Sequence, residues 1–127
     1  DAGHITASVT VPAHFCSYPG VVHGGIVAAL LDETAGRSTM LKDDTETSLM
    51  VTAKLEVKYR RPVPTGQPLT LRGRVLEQVG TRARTAAEVL LADGTVAAQA
   101  EAILLRPPAS VFEAWETEKA YWKVYDD

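Results

Sequence analysis

The segment VVHGGIVAALLDETAG, Val21 to Gly36, limits what this chain can fold into more than any other. From Gly24 to about Leu41 it is rich in Ala and Leu and holds no proline, so it reads as one long helix. The polar run from Lys42 to Thr47 ends it. Ile26, Val27, Leu30 and Leu31 occupy most of its circumference, which predicts a helix buried on most sides. Two carboxylates, Asp32 and Glu33, interrupt that apolar surface. Successive helical residues point about 100° apart, so the two cannot share a direction. Either one of them faces the interior and needs a partner to offset its desolvation, or the pair marks an exposed stripe.

The rest of the chain alternates as strands do. Ile5, Ala7, Val9 and Val11 alternate with Thr6, Ser8 and Thr10, the pattern of a half-buried strand. Pro12 to Gly20 is a loop. After the helix, Leu49 to Arg60 sets Val51, Ala53, Leu55, Val57 and Tyr59 against Thr52, Lys54, Glu56, Lys58 and Arg60. Pro62 and Pro64 stop that strand. Strands over Pro68–Gln78, Arg82–Leu91 and Thr95–Arg106 follow, the first with Leu69, Leu71, Gly73 and Val75 on one face. Turns at Val79-Gly80-Thr81 and Ala92-Asp93-Gly94 join them. Ser110 to Tyr125 carries Val111, Trp115 and Trp122 at helical spacing, with Ser110 as N-cap and Glu113 completing a capping box. Strand, long helix, four antiparallel strands and terminal helix make an α+β fold. Residues 1–109 form the domain and 110–127 a helical extension packed on it. One helix covers one face of such a sheet and leaves edges that another chain could close.

Composition narrows the function. A chain of 127 residues makes one domain, and at 46% hydrophobic it can bury a core. Its size still leaves enough surface open that oligomerisation would help it. A net charge of −3 opposes nucleic acid as a partner, and no apolar run is long enough to span a membrane. The lone Cys16 forms no intrachain disulfide, which points to a reducing compartment. The cytoplasm is the expected location, and an organelle also fits a chain that starts at Asp1 without methionine. Cys16 has no evident base beside it, so it reads as a buried or incidental thiol rather than a nucleophile.

His23-Gly24-Gly25 stands where a loop enters the helix. The first N–H groups of a helix lack internal partners and sit at the positive end of its dipole. Glycine lets a ligand approach them. Such an end suits a carbonyl oxygen that becomes negative during reaction, although Gly-Gly before a helix also serves as a plain tight turn.

HGGIVAALLDETAG resembles the signature of the hot dog fold thioesterases, in the clade of the phenylacetate-pathway thioesterase and the mammalian thioesterase superfamily members. There a His-Gly-Gly opens the central helix and an acid follows nine positions after the histidine, here Asp32. VTAKLEVKYRRPVPTGQPL resembles the second strand and following turn of that family, and the likeness runs from about residue 5 to 106. The resemblance implies a hot dog fold, an antiparallel sheet wrapped around one long helix, in a hydrolase acting on thioesters. Asp32 would then act as base on a water or as nucleophile, and the Gly24 N–H would polarise the carbonyl. Thr52 would help orient the water, and His23 would orient the loop or take a direct part. Ser17 stands where relatives often carry an amide near the site. Family sites are shared across a dimer, so a homodimer or dimer of dimers is implied. No metal is required, and no cofactor beyond the coenzyme A moiety of the substrate.

The resemblance also implies where coenzyme A lies. Gly25, Tyr59, Arg60, Arg61 and Pro62, with Gly80, Thr81 and Arg82, would flank its tail. The planar guanidinium fork makes Arg60, Arg61 and Arg82 the candidate phosphate ligands, against the plainer reading of a solvated strand end. A carrier-protein arm would make the same contacts, so acyl-CoA and acyl-carrier-protein substrates both stay open. Two other readings compete. A hot dog hydratase or dehydratase uses a histidine and an acid together in the central helix region, whereas His23 precedes the helix. A non-catalytic acyl-CoA binding protein would need no carboxylate beside the thioester.

Overall fold

Alternation gives every strand one apolar face, and among the described residues a single α-helix is available to cover it. In the computed structural model, which describes residues 4–40, 50–107 and 110, the helix does so. The elements are β1 (His4–Thr10), a short 3-10 turn (Ala13–Phe15), α1 (Gly24–Ser38), β2 (Val51–Tyr59), β3 (Pro68–Val79), β4 (Arg82–Leu90) and β5 (Val96–Leu105). The expected helix over 110–127 falls outside the described residues apart from Ser110, as does Leu41. Among the described residues no helix is long and apolar enough to cross a membrane.

The five strands form one sheet in the order β1-β3-β4-β5-β2, with every neighbour antiparallel. β2 therefore pairs with β5 rather than with β3, its successor in the chain. β1 and β2 are the edges. The β3–β4 hairpin turns on two residues, Gly80 and Thr81. Gly80 has φ +59° in the first central position, where the turn needs positive φ to follow the twist of its strands.

The helix buries Val27, Leu31, Thr34, Ala35 and Ser38 against the sheet. They meet Leu69, Leu71, Ala83, Ala87, Val89, Ala100, Ala102 and Leu104. At Gly73 the helix comes so near that a Cβ would lie 2.9 Å from both the Thr34 carbonyl oxygen and its Cγ2. Only glycine allows that approach. The expectation of a helix buried on most sides is corrected here. Gly25, Ala29, Glu33 and Arg37 form an exposed stripe, and Ile26 and Leu30 are half-buried. One sheet face can cover only one side of a helix.

β2 departs from strict alternation. Thr52 pairs with Leu104 and Lys54 with Ile103, so Ala53 is an extra residue, a β-bulge. The bulge moves Thr52 onto the helix side of the sheet, in line with Leu104, which is 1% exposed. Val51, expected on the apolar face, is 52% exposed instead.

Candidate active site

The helix start explains the histidine and both glycines. His23 is the N-cap of α1, and the Gly25 N–H donates to its Nδ1 at 2.9 Å. The imidazole lies so close over Gly25 that a Cβ there would come within 3.1 Å of Nδ1. His23 thus serves as cap in place of the usual Ser, Thr, Asp or Asn, and Nδ1 must be unprotonated to accept. The Gly24 N–H has no hydrogen-bond partner among the described residues. Its carbonyl accepts from the Tyr59 hydroxyl at 2.7 Å, and the Tyr59 ring lies against the Gly24 backbone. The end of β2 is thereby pinned to the first turn of α1.

Two turns further on, the acids separate. Glu33 is exposed and accepts from Arg37 one turn away at 2.6 Å. Asp32 is half-buried and faces the sheet edge, where the Thr52 hydroxyl donates to its Oδ1 at 2.7 Å. The other carboxylate oxygen has no hydrogen bond among the described residues. Beside the pair opens a cleft of about 440 Å³ that also reaches Gly36, Thr39, Met40 and Met50. Sequence reasoning did not single out these four. A glycine inside a helix, one turn after the acid, was the available signal.

The basic residues do not form one group. Arg60 and Arg61 both donate their backbone N–H to the Ala97 carbonyl, and Arg60 Nε donates to Gln99. Arg82 pairs instead with Leu105. Eight positions of β5 separate the two, about 26 Å at 3.3 Å per residue. Gly80, Thr81 and Arg82 lie at the Asp32 end of the protomer, because Thr52 and Leu104 are register neighbours of that hairpin. Tyr59, Arg60, Arg61 and Pro62 lie at the Gly24 end. Within one chain, Arg82 therefore lies far from Arg60 and Arg61.

The loop before the helix holds the remaining candidates. Ser17 is exposed in a turn closed by its N–H to the Val21 carbonyl, and its hydroxyl has no partner among the described residues. Cys16 is free and exposed, so of the buried and incidental readings the buried one is corrected. The His14 ring leans on Phe15, with centroids 4.3 Å apart.

A carboxylate held by a hydroxyl thus lines an open cleft, on a helix whose first N–H has no partner among the described residues. The model of the thioesterase superfamily matches residues 19–98, and the chain belongs to that family. Its five-stranded antiparallel sheet around one helix is the hot dog fold. The protein RHA08564, a thioesterase superfamily protein, superposes with a TM-score of 0.73 at 33% identity, over 81% of this chain and 51% of that one. The acyl-coenzyme A thioesterase THEM4 of Rattus norvegicus is 35% identical over 51 residues, 40% of this chain and 20% of its own. This chain thus spans about half the length of the first and a fifth of the second. A hypothetical thioesterase protein of Streptococcus pneumoniae, solved with coenzyme A, shares the fold at a TM-score of 0.70 and 22% identity, over 81% of this chain and 80% of that one.

Proposed function

We propose that the protein hydrolyses acyl-CoA thioesters, with Asp32 as the reacting carboxylate. The observation that carries this reading is the Thr52–Asp32 hydrogen bond inside a cleft. It holds one carboxylate oxygen and leaves the other free to take a proton from water or to attack. Thr52 spends its proton on Asp32, so its oxygen lone pairs remain to accept from that water. As the new C–O bond forms, the carbonyl oxygen gains negative charge, and an unpartnered N–H at a helix N-terminus is suited to receive it. The C–S bond then breaks, and the sulfur leaves as the thiol with the proton that Asp32 had taken. If Asp32 attacks directly, the C–S bond breaks to release the thiolate and leave an acyl–Asp32 anhydride, and the water that cleaves the anhydride restores the carboxylate and supplies the thiol proton.

Gly24 and Asp32 are eight residues apart on one helix, roughly 12 Å. A nucleophile and an oxyanion donor must both lie within about 3 Å of the same carbonyl group. One protomer cannot supply both, so we read the site as Asp32 and Thr52 of one chain with Gly24 of a second. Antiparallel pairing of the free β2 edge with its copy brings opposite ends of two protomers together. The hairpin at Gly80–Arg82 then lies at the same end as the second chain's Tyr59, Arg60, Arg61 and Pro62, two strands away across the sheet. The candidate coenzyme A contacts, divided within a chain, are reunited between chains.

Free thiol release from a panel of acyl-CoAs tests the reading. Wild type should turn over at least one substrate, and Asp32→Asn should lower kcat by about a hundredfold or more, the scale of a positioned base. Near-normal turnover by a folded Asp32→Asn protein would remove the assignment. Saturable binding without thiol release by wild type would make the protein a binder of its ligand.

A further inference from the structure

We propose that Gly36 sets the width of the acyl pocket, and that the substrates carry an apolar acyl group of several carbons rather than acetyl or a dicarboxylic acyl group. This rests on the thioesterase reading. The cleft beside Asp32, of about 440 Å³, lies in the size range of small-molecule sites. Asp32 and Thr52 supply its reactive polar part, Glu33, Arg37 and Thr39 a polar rim, and Gly36, Met40 and Met50 its apolar part.

Gly36 is one helical turn after Asp32, on the same face. Side chains on a helix tilt toward its N-terminus, so any side chain at 36 would lean over the Asp32 carboxylate. A Cβ built there meets nothing within 4 Å among the described residues. Glycine is the poorest helix former apart from proline, and here neither a positive φ nor a close neighbour requires it. No described neighbour explains the residue, whereas the cleft does. Met40 and Met50 are unbranched and adapt to irregular shapes. The rim carries two carboxylates, Asp32 and Glu33, against one cation, Arg37, so it repels a distal carboxylate on the acyl group.

The test compares kcat/KM for acetyl-, hexanoyl-, phenylacetyl- and succinyl-CoA in wild type, Gly36→Ala and Gly36→Leu. Wild type should favour hexanoyl- or phenylacetyl-CoA over acetyl- and succinyl-CoA. Gly36→Leu should cut the hexanoyl-to-acetyl ratio by about tenfold or more, the scale on which a pocket senses added carbon. Gly36→Ala should cut it by less, in the same direction. Alanine favours the helix, so that variant decides the matter if the leucine variant does not fold. Turnover with a ratio unchanged in the folded variants overturns the role of Gly36, and a wild-type preference for acetyl- or succinyl-CoA overturns the substrate class. Both results leave the thioesterase reading intact. Absence of turnover with every acyl-CoA overturns that reading and this inference with it.

Discussion

Thr52 shows how much one hydroxyl can decide. It steadies Asp32 at 2.7 Å, and a hydrogen bond to a charged group contributes about 1.5–3 kcal/mol. Thr52→Val should therefore lower kcat by about tenfold or more, measured by thiol release, while the folded spectrum stays that of wild type. Glu33→Gln removes only an exposed ion pair, so its kcat should stay within about twofold of wild type, since such pairs contribute less than about 1 kcal/mol. His23 is a cap, and losing a cap costs about 1 kcal/mol. Chemical denaturation should show that loss in His23→Ala and a smaller one in His23→Asn, whose side chain can also accept from Gly25. Equal loss in both would mean that capping is not what His23 contributes.

At the scale of elements, the tightest contact is α1 on β3. Gly73→Ala drives a methyl against the Thr34 backbone at 2.9 Å. That overpacking should cost about 1–3 kcal/mol, read as a lower denaturation midpoint. The β4–β5 hairpin carries a titrating feature of its own. Hydrogen bonds from the Thr95 side chain and backbone hold the exposed Asp93 carboxyl below the usual carboxylate range. A lowered folded value means the contribution is complete above the unfolded carboxylate range and is lost as pH falls through the lowered value. Asp93→Asn keeps an acceptor but does not titrate. Thermal scans from roughly pH 5 to 3 should show a slightly shallower loss of stability than in wild type, and an identical slope would discount the feature.

The whole molecule holds its candidate residues at two ends. Asp32, Thr52 and the Gly80–Arg82 hairpin lie at one end, and Gly24, Tyr59, Arg60 and Arg61 at the other. If two chains complete each site, a mixture can recover what neither variant has. Asp32→Asn and the double variant Arg60→Ala with Arg61→Ala should each be weak at limiting acyl-CoA. Mixed and re-associated in equal amounts, they should regain about a quarter of wild-type activity, because half the dimers are mixed and each holds one intact site. No recovery, or a monomer by light scattering in the active fraction, would remove the two-chain site.

The local elements were legible because their causes are local. Proline and glycine positions bounded the strands and turns, the Ala- and Leu-rich run between Gly24 and Ser38 made the helix, and His-Gly-Gly marked where it begins. The thioesterase likeness was legible for the same reason, since it rests on one helix and its nine-residue spacing from His23 to Asp32. What the tertiary structure decided depends on residues far apart in the chain. Alternation put Thr52 on the solvent side with Lys54, and the Ala53 bulge, set by pairing with β5, turned it toward Asp32. Periodicity left Asp32 and Glu33 equivalent, and the neighbouring sheet edge separated them. The sequence named Arg60, Arg61 and Arg82 as candidate phosphate ligands without their distances, and the β5 register puts Arg82 far from the other two within one chain. A period of 3.6 or 2 reports which way a side chain points from its own element, whereas strand order and register report what it meets there.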